Sequence, residues 1–328
     1  VTIQEGMMMR PKIFIDGESG TTGLHIYSRL EQRDDIELVS IEPALRRDAA
    51  ERAKIINSVD LAILCLPDEA AKAAVSFVNS PTVKILDASS AYRTAPGWVY
   101  GFAELNPGQR SKIASAQFVS NPGCYPTGFL ACIRPLISQG LLPRNFPVTI
   151  NAVSGYSGGG KNMIQQYESF HKQESKSAYP YGIYGTKFGH KHVKEMHQHS
   201  ELAAPPLFVP AVGDFEQGML VQVPLPLWTL DNPPSGAAIH QAIADYYQEE
   251  AFVQVMPLGD PTLLRDGAFL DAMAMNGTNV VQVFVFANDT THEVLLVARL
   301  DNLGKGASGA AIQNLNIMLG FPEALGLS

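Results

Sequence analysis

Residues 12–16, Lys-Ile-Phe-Ile-Asp, form a short β-branched and aromatic run that reads as a strand. Gly17-Glu18-Ser19-Gly20-Thr21-Thr22-Gly23 follows at once, and then residues 24–30, in which Leu24, Tyr27 and Leu30 share one helical face. Strand, glycine-rich turn and helix in that order narrow the choice of fold sharply. Glycines let a backbone approach a pyrophosphate, and the unpaired N–H groups of a helix N-terminus attract it. The spacing is G-x-x-G-x-x-G rather than G-x-G-x-x-G, and a purely structural turn would show the same glycines. The place between a first strand and a first helix is what points to a dinucleotide.

The alternation continues. Residues 36–41 read as a second strand, 60–66 as a buried strand ended by Pro67, and 68–78 as an Ala-rich helix with Asp68 as its expected cap. Residues 83–87 read as a further strand, running into Ala88-Ser89-Ser90-Ala91-Tyr92-Arg93. This pattern predicts an α/β, Rossmann-like domain: a mostly parallel sheet with helices on both faces and ligands outside the carboxyl ends of its strands. Ser89, Ser90 and Arg93 then fall on the ligand side, with Arg93 either an anion clamp or a surface ion pair. Cys65 is a core strand residue close to the cofactor. The tip of the second strand, Ser40-Ile41-Glu42 with Arg46 and Arg47 after it, should face the adenosine ribose. Glu42 suits a ribose diol, whereas Ser40 with an arginine suits a 2′-phosphate, and the reading favours NADP(H).

A length of 328 residues suggests two domains, and 46% apolar residues supply two cores. Lys and Arg number 24 against 32 Asp and Glu, and the net charge of −8 argues against a nucleic-acid partner. No apolar run approaches the roughly 18 residues of a membrane span. Residues 1–9 lack the basic start and apolar stretch of a signal peptide. They are expected to be a leader outside the fold, with translation beginning at Met7, Met8 or Met9. Cys65, Cys124 and Cys132 make no disulfide framework and fit a reducing cytoplasm.

Ser120-Asn121-Pro122-Gly123-Cys124-Tyr125-Pro126-Thr127-Gly128 precedes an apolar run, 129–137, that reads as a helix. Pro126 sits where a first-turn proline is tolerated. Cys124 is therefore expected at a helix N-terminus, where unpaired N–H groups favour a thiolate, the nucleophile of acyl chemistry. Further on, a strand over 146–153 runs into Ser154-Gly155-Tyr156-Ser157-Gly158-Gly159-Gly160-Lys161, a loop suited to an anion, and then a helix to residue 170. Five of the eight histidines lie between His171 and His199. A zinc site is one reading of His190-Lys191-His192, but no familiar zinc spacing accompanies it. The economical reading gives Cys124 an acid/base partner in His190 or His192, with His197 and His199 at a solvated helix start. Runs at 208–210, 219–224, 280–287 and 293–300 predict a largely antiparallel sheet with a helix over 235–252. Residues 301–319, rich in small residues, predict a closely packed helix with Asn314 at an unusual mid-helix position.

From about Pro11 to the C-terminus the chain resembles the N-acetyl-γ-glutamyl-phosphate reductases, in their shorter form. Residues 17–23, 120–128, 189–195 and 304–316 carry the resemblance, and the Asn-Pro-Gly-Cys-Tyr-Pro-Thr stretch is the most specific. The resemblance implies a cytoplasmic enzyme of arginine biosynthesis that reduces an acyl phosphate with NADPH through a Cys124 thioester. It implies acid/base work by His190 or His192, the other binding substrate, and no metal. Gly17, Ser19, Gly20, Thr21, Thr22 and Gly23 become the NADP pyrophosphate loop, with Ser40 near the ribose and Asn314 at the nicotinamide end. Ser89, Arg93, Ser154 and Gly155 become substrate contacts. The expected domains are 10–123 with 302–328 for NADP(H), and an α+β domain over 124–301 for catalysis and assembly into a dimer or tetramer. Aspartyl phosphate and an aminoadipyl phosphate are alternative substrates; a non-catalytic NADP-binding redox sensor is the alternative of another class.

Overall fold

The computed structural model describes residues 10–172 and 179–327; the expected leader, 1–9, lies outside them. The first part of the chain gives β1 (Lys12–Asp16), α1 (Thr21–Leu30), β2 (Glu37–Val39), α2 (Ala49–Ile56), β3 (Leu61–Leu64), α3 (Asp68–Ser76), β4 (Lys84–Asp87), β5 (Val99–Tyr100), α4 (Gln109–Ser115) and β6 (Phe118–Ser120). Their strands form one six-stranded sheet in the order β2-β1-β3-β4-β6-β5, with every pairing parallel. Alternation along β1 explains why both faces are covered. Ile13 and Ile15 pack with Ile26 and Leu30 of α1 on one side, while Phe14 packs with Ile55 and Ile56 of α2 on the other.

The long α5 (Cys124–Ser138) leads into β7 (Thr149–Gly155), α6 (Gly160–His171), β8 (Tyr181–Ile183), α7 (His192–Ser200), β9 (Leu207–Gly213), β10 (Met219–Pro226), α8 (Gly236–Tyr247), β11 (Val253–Val255), β12 (Val281–Asn288), β13 (Glu293–Leu300) and α9 (Gly309–Leu319). The second sheet has seven strands in the order β11-β12-β13-β10-β7-β9-β8. It is mixed: β11–β12 and β7–β9 are parallel, and the other four pairings are antiparallel. Phe129, Leu130 and Ile133 of α5 are buried against Val221, Val283 and Leu296 of this sheet. Gly128 permits the close approach, since a Cβ there would meet Val221 Cγ2 at 2.8 Å. The chain then returns, and Ile312, Leu315 and Met318 of α9 pack into the core of the parallel sheet.

Several local expectations change. β2 is shorter than its apolar run, and β5, β8 and β11 are too short or too polar to be read from pattern alone. Asp68 does not cap α3; Pro67 holds that position, and the Asp68 carboxylate accepts from the N–H and Oγ of Ser90. The 301–319 stretch is not one regular helix. Gly306 N–H donates to Asp301 O and Ser308 N–H to Leu303 O, so residues 304–308 wind as a π-turn before α9.

Candidate active site

The order of the parallel sheet reverses beside β1, and the crevice lies there as the rule for open sheets requires. Gly17 has φ +91°, and a Cβ on it would meet Cys65 O at 2.4 Å; a Cβ on Gly23 would meet Gly17 O at 2.3 Å. The glycines thus draw the turn tightly against the end of β3 and the start of α1. Gly20 precedes α1, and no side chain caps that helix. The N–H groups of its first turn are left for a ligand. Gly20, Thr21 and Thr22 face Cys65, Ala88 and Lys161 across a cavity of about 270 Å³. This cradle fits the pyrophosphate of a dinucleotide. Ser19 is exposed on the turn, and Ser40 is exposed just after β2. The Arg46 guanidinium bends over the turn to pair with Glu18, and Arg52 pairs with Asp16 at 2.7 Å.

Thr21 and Thr22 also line a second, larger cleft of about 410 Å³ between the two sheets. Cys124 opens α5 on its wall, with Gly123 as the preceding cap. The thiol is partly exposed, yet burial pushes it up to about 11. The N–H groups of Tyr125 and Cys124 and the Arg93 guanidinium pull it down, and Glu195 pushes it up. Desolvation thus outweighs the helix terminus and favours the thiol, opposite in direction to the thiolate expected from the helix start.

Both candidate histidines are on the same wall. Their rings lie 4.8 Å apart, and the His192 N–H donates to His190 Nδ1 at 3.2 Å. Burial, with Arg93 and His190 nearby, holds His192 well below the ordinary imidazole range, and burial also lowers His190. His192 Nδ1 is buried without a partner, while Nε2 packs over the turn before Cys124: a Cβ on Gly123 would lie 2.7 Å from it. His192 opens α7, so His197 and His199 do not start a helix. They lie in its last turn, where His199 stacks on Tyr100 at 3.7 Å and its Nε2 donates to Arg93 O at 2.8 Å.

Arg93 lines the cleft but is no surface ion pair. It is buried, its Nε donates to Asn121 O at 2.9 Å, and it pairs with Glu195 at 2.7 Å. Ser154 and Gly155 also line the cleft, at the end of β7. Ser89 and Asn314 do not reach it. Ser89 Oγ donates to Asp87 at 2.7 Å, and Asn314 Nδ2, behind the wall, donates to Gly101 O at 2.8 Å and Asn121 Oδ1 at 3.1 Å. Glu195 escaped sequence reasoning, as did Gly306, whose lack of a side chain admits Cys124: a Cβ there would lie 2.8 Å from Cys124 Cβ. The only signal for either was its place inside a segment noted for other residues. Among the described residues no group of three or more His, Cys, Asp or Glu side chains could hold a metal ion.

An uncapped dinucleotide cradle, a cysteine at a helix start and neutral histidines beside it suit acyl transfer followed by reduction. Two family models cover the chain. Residues 12–114 match the semialdehyde dehydrogenase NAD binding domain, and 124–302 match the semialdehyde dehydrogenase dimerisation domain. N-acetyl-gamma-glutamyl-phosphate reductase 2 of a Nostoc strain is 78% identical over 98% of this chain and all of its own length. The chain belongs to the semialdehyde dehydrogenase family, on its N-acetyl-gamma-glutamyl-phosphate reductase branch. The Brucella anthropi reductase of that name is 51% identical over 95% of this chain and 99% of its own. Among solved structures, aspartate semialdehyde dehydrogenase II of Vibrio cholerae, complexed with ASA, superposes with a TM-score of 0.71. It covers 95% of this chain and 99% of its own at 14% identity, a likeness of fold alone. The chain is thus an oxidoreductase with an NAD(P)-binding Rossmann domain. No described helix is long and apolar enough to cross a membrane.

Proposed function

We propose that this chain reduces N-acetyl-γ-glutamyl phosphate to N-acetylglutamate 5-semialdehyde and phosphate, with NADPH as reductant, in the arginine biosynthesis of the cytoplasm. One observation carries the choice of substrate. The residues lining the cleft include Arg93 and Lys191 and, among the described residues, no Asp or Glu. Glu195, beside the wall, is committed to Arg93. Such a wall attracts phosphate and carboxylate but offers nothing to a free α-ammonium group, so it suits an amino acid whose nitrogen is acylated.

The residues then divide the work. His192, buried and neutral, takes the Cys124 proton through Nε2. The sulfur attacks the acyl carbon, the bond to the phosphate oxygen breaks, and a thioester remains. Arg93 and Lys191 offset the charge of the leaving phosphate. His190 accepts from the His192 N–H at Nδ1, carries its own proton on Nε2, and donates toward the carbonyl side of the substrate. N–H groups at the start of α5 face the developing oxyanion. Ser154 and Gly155 hold the rest of the substrate. The Gly17–Gly23 turn would hold the dinucleotide, which when bound would supply the hydride for reduction of the thioester carbon. When the carbon–sulfur bond breaks, the protonated His192 returns its proton to sulfur and the aldehyde leaves. Asn314 acts on the nicotinamide end through Asn121. Ser40 and Arg46 read the 2′-phosphate, which makes NADPH the preferred reductant. The chain works as a homo-oligomer, a dimer or tetramer, built through its second domain.

Phosphate-dependent NADP⁺ reduction tests this reading. N-acetylglutamate semialdehyde should outpace aspartate semialdehyde by at least about a hundredfold in kcat/KM. A preference for aspartate semialdehyde would overturn it.

A further inference from the structure

Glu195 lies at the centre of a buried network that the steps above leave without a role. It is 1% exposed, in the first turn of α7. One carboxylate oxygen accepts from Arg93 Nη1 at 2.7 Å. The other accepts from the Tyr100 hydroxyl at 2.8 Å and from the Gly123 N–H at 3.1 Å. Arg93 in turn donates to Asn121 O, two residues before Gly123. One carboxylate therefore ties together the end of β5, the loop after β4 and the turn that presents the nucleophile. Gly123 is the only residue type that fits beneath it, because a Cβ there would lie 2.8 Å from Glu195 Oε1 and 2.6 Å from Arg93 Nη1.

We propose that Glu195 is a positioning residue for Cys124: it anchors the Asn121–Gly123 turn against Arg93 and Tyr100, and its charge sets the electrostatic environment of the sulfur. The Gly123 N–H would otherwise be a buried orphan, and the turn would lose the contact that directs Cys124 into the cleft. The carboxylate also opposes ionisation of the nearby thiol, in the same direction as the larger effect of burial. The charged and titratable groups facing this region are Arg93, Lys191 and Arg134, Tyr100, Tyr125, Tyr184, His190, His192 and His199, with Asp68 and Asp87 beyond Arg93; of the cations, Arg93 is the one that acts on the sulfur. With the Glu195 charge gone, Arg93 acts on the sulfur unopposed.

The test is the pH dependence of Cys124 alkylation by iodoacetamide, followed by peptide mass spectrometry, alongside steady-state kinetics. The alkylation needs no substrate, so it stands or falls separately from the substrate assignment. Glu195→Gln should move the alkylation profile down by about one pH unit and raise the rate at pH 7 about tenfold, while kcat falls at least tenfold. Glu195→Asp keeps the charge but withdraws it by one methylene; its alkylation profile should stay in place while kcat falls. An unmoved profile in a folded Glu195→Gln enzyme would overturn the electrostatic part. Wild-type kcat in Glu195→Asp would overturn the positioning part, and that result decides even where Glu195→Gln does not fold.

Discussion

At the scale of single residues, burial favours the neutral thiol of Cys124 and the neutral imidazole of His192. Alkylation of wild-type Cys124 should therefore rise steadily with pH through pH 9 without a plateau, since the thiol is pushed up to about 11. Buried His192 titrates below the roughly 6.5 of an unfolded chain, so its neutral form contributes stability above that pH, which is lost as pH falls below it. Differential scanning calorimetry should show His192→Asn losing less Tm than the wild type between pH 7 and pH 5. Asp87, which burial raises to about 6, has the opposite sign and is common to both proteins, so the difference isolates the histidine. At the other end of the crevice, Arg46→Ala should weaken NADPH binding at least about tenfold and NADH binding little, as measured by fluorescence titration. Cys124 was legible because its chemistry depends on neighbours in the chain, a Pro-Gly turn before it and a helix after it. Glu195 was not, because its partners lie 102, 95 and 72 residues away.

Among the elements, the π-turn 304–308 does what no pattern announced. It brings Gly306 against Cys124 and, through Ala307 O, receives Asn121 Nδ2 at 3.0 Å. Lys305 pins the turn: its ammonium is buried, pairs with Glu104 at 2.7 Å and lies 5.3 Å from the Phe252 ring centroid. Lys305→Met leaves the buried Glu104 without its cation, with only Gln313 donating to it, and should cost about 3–5 kcal/mol in urea denaturation. Gly306→Ala should lower kcat/KM at least about tenfold, since overpacking of about 1–3 kcal/mol falls on Cys124, the proposed nucleophile. The small residues of 301–319 did indicate close packing. They could not indicate what was packed against, because Cys124 is more than 170 residues away in the chain. The bulk of α5 was legible from its apolar run. By contrast, β5, β8 and β11 are two or three residues long and take their extended form from neighbouring strands rather than from their own sequence.

For the whole molecule, the alternation of short apolar strands and helices dictates a parallel sheet covered on both faces, and the crevice follows from its order. The second sheet is largely antiparallel, as the alternation of its long strands predicts and the burial of β10 displays; the parallel β7–β9 pair depends on the intervening α6 and α7, which periodicity alone does not place. Between the sheets lies a cleft with cations and, among the described residues, without carboxylates on its wall, and Cys124 stands in it. The central claim is that this sulfur takes the acyl group from the phosphate. Mixing the enzyme with freshly made N-acetyl-γ-glutamyl phosphate, without NADPH, and weighing the intact protein by mass spectrometry tests it most directly. One N-acetylglutamyl group should appear per chain, map to the peptide of Cys124, match the phosphate released, and be absent from Cys124→Ala. An adduct or phosphate release that persists in Cys124→Ala would contradict the account.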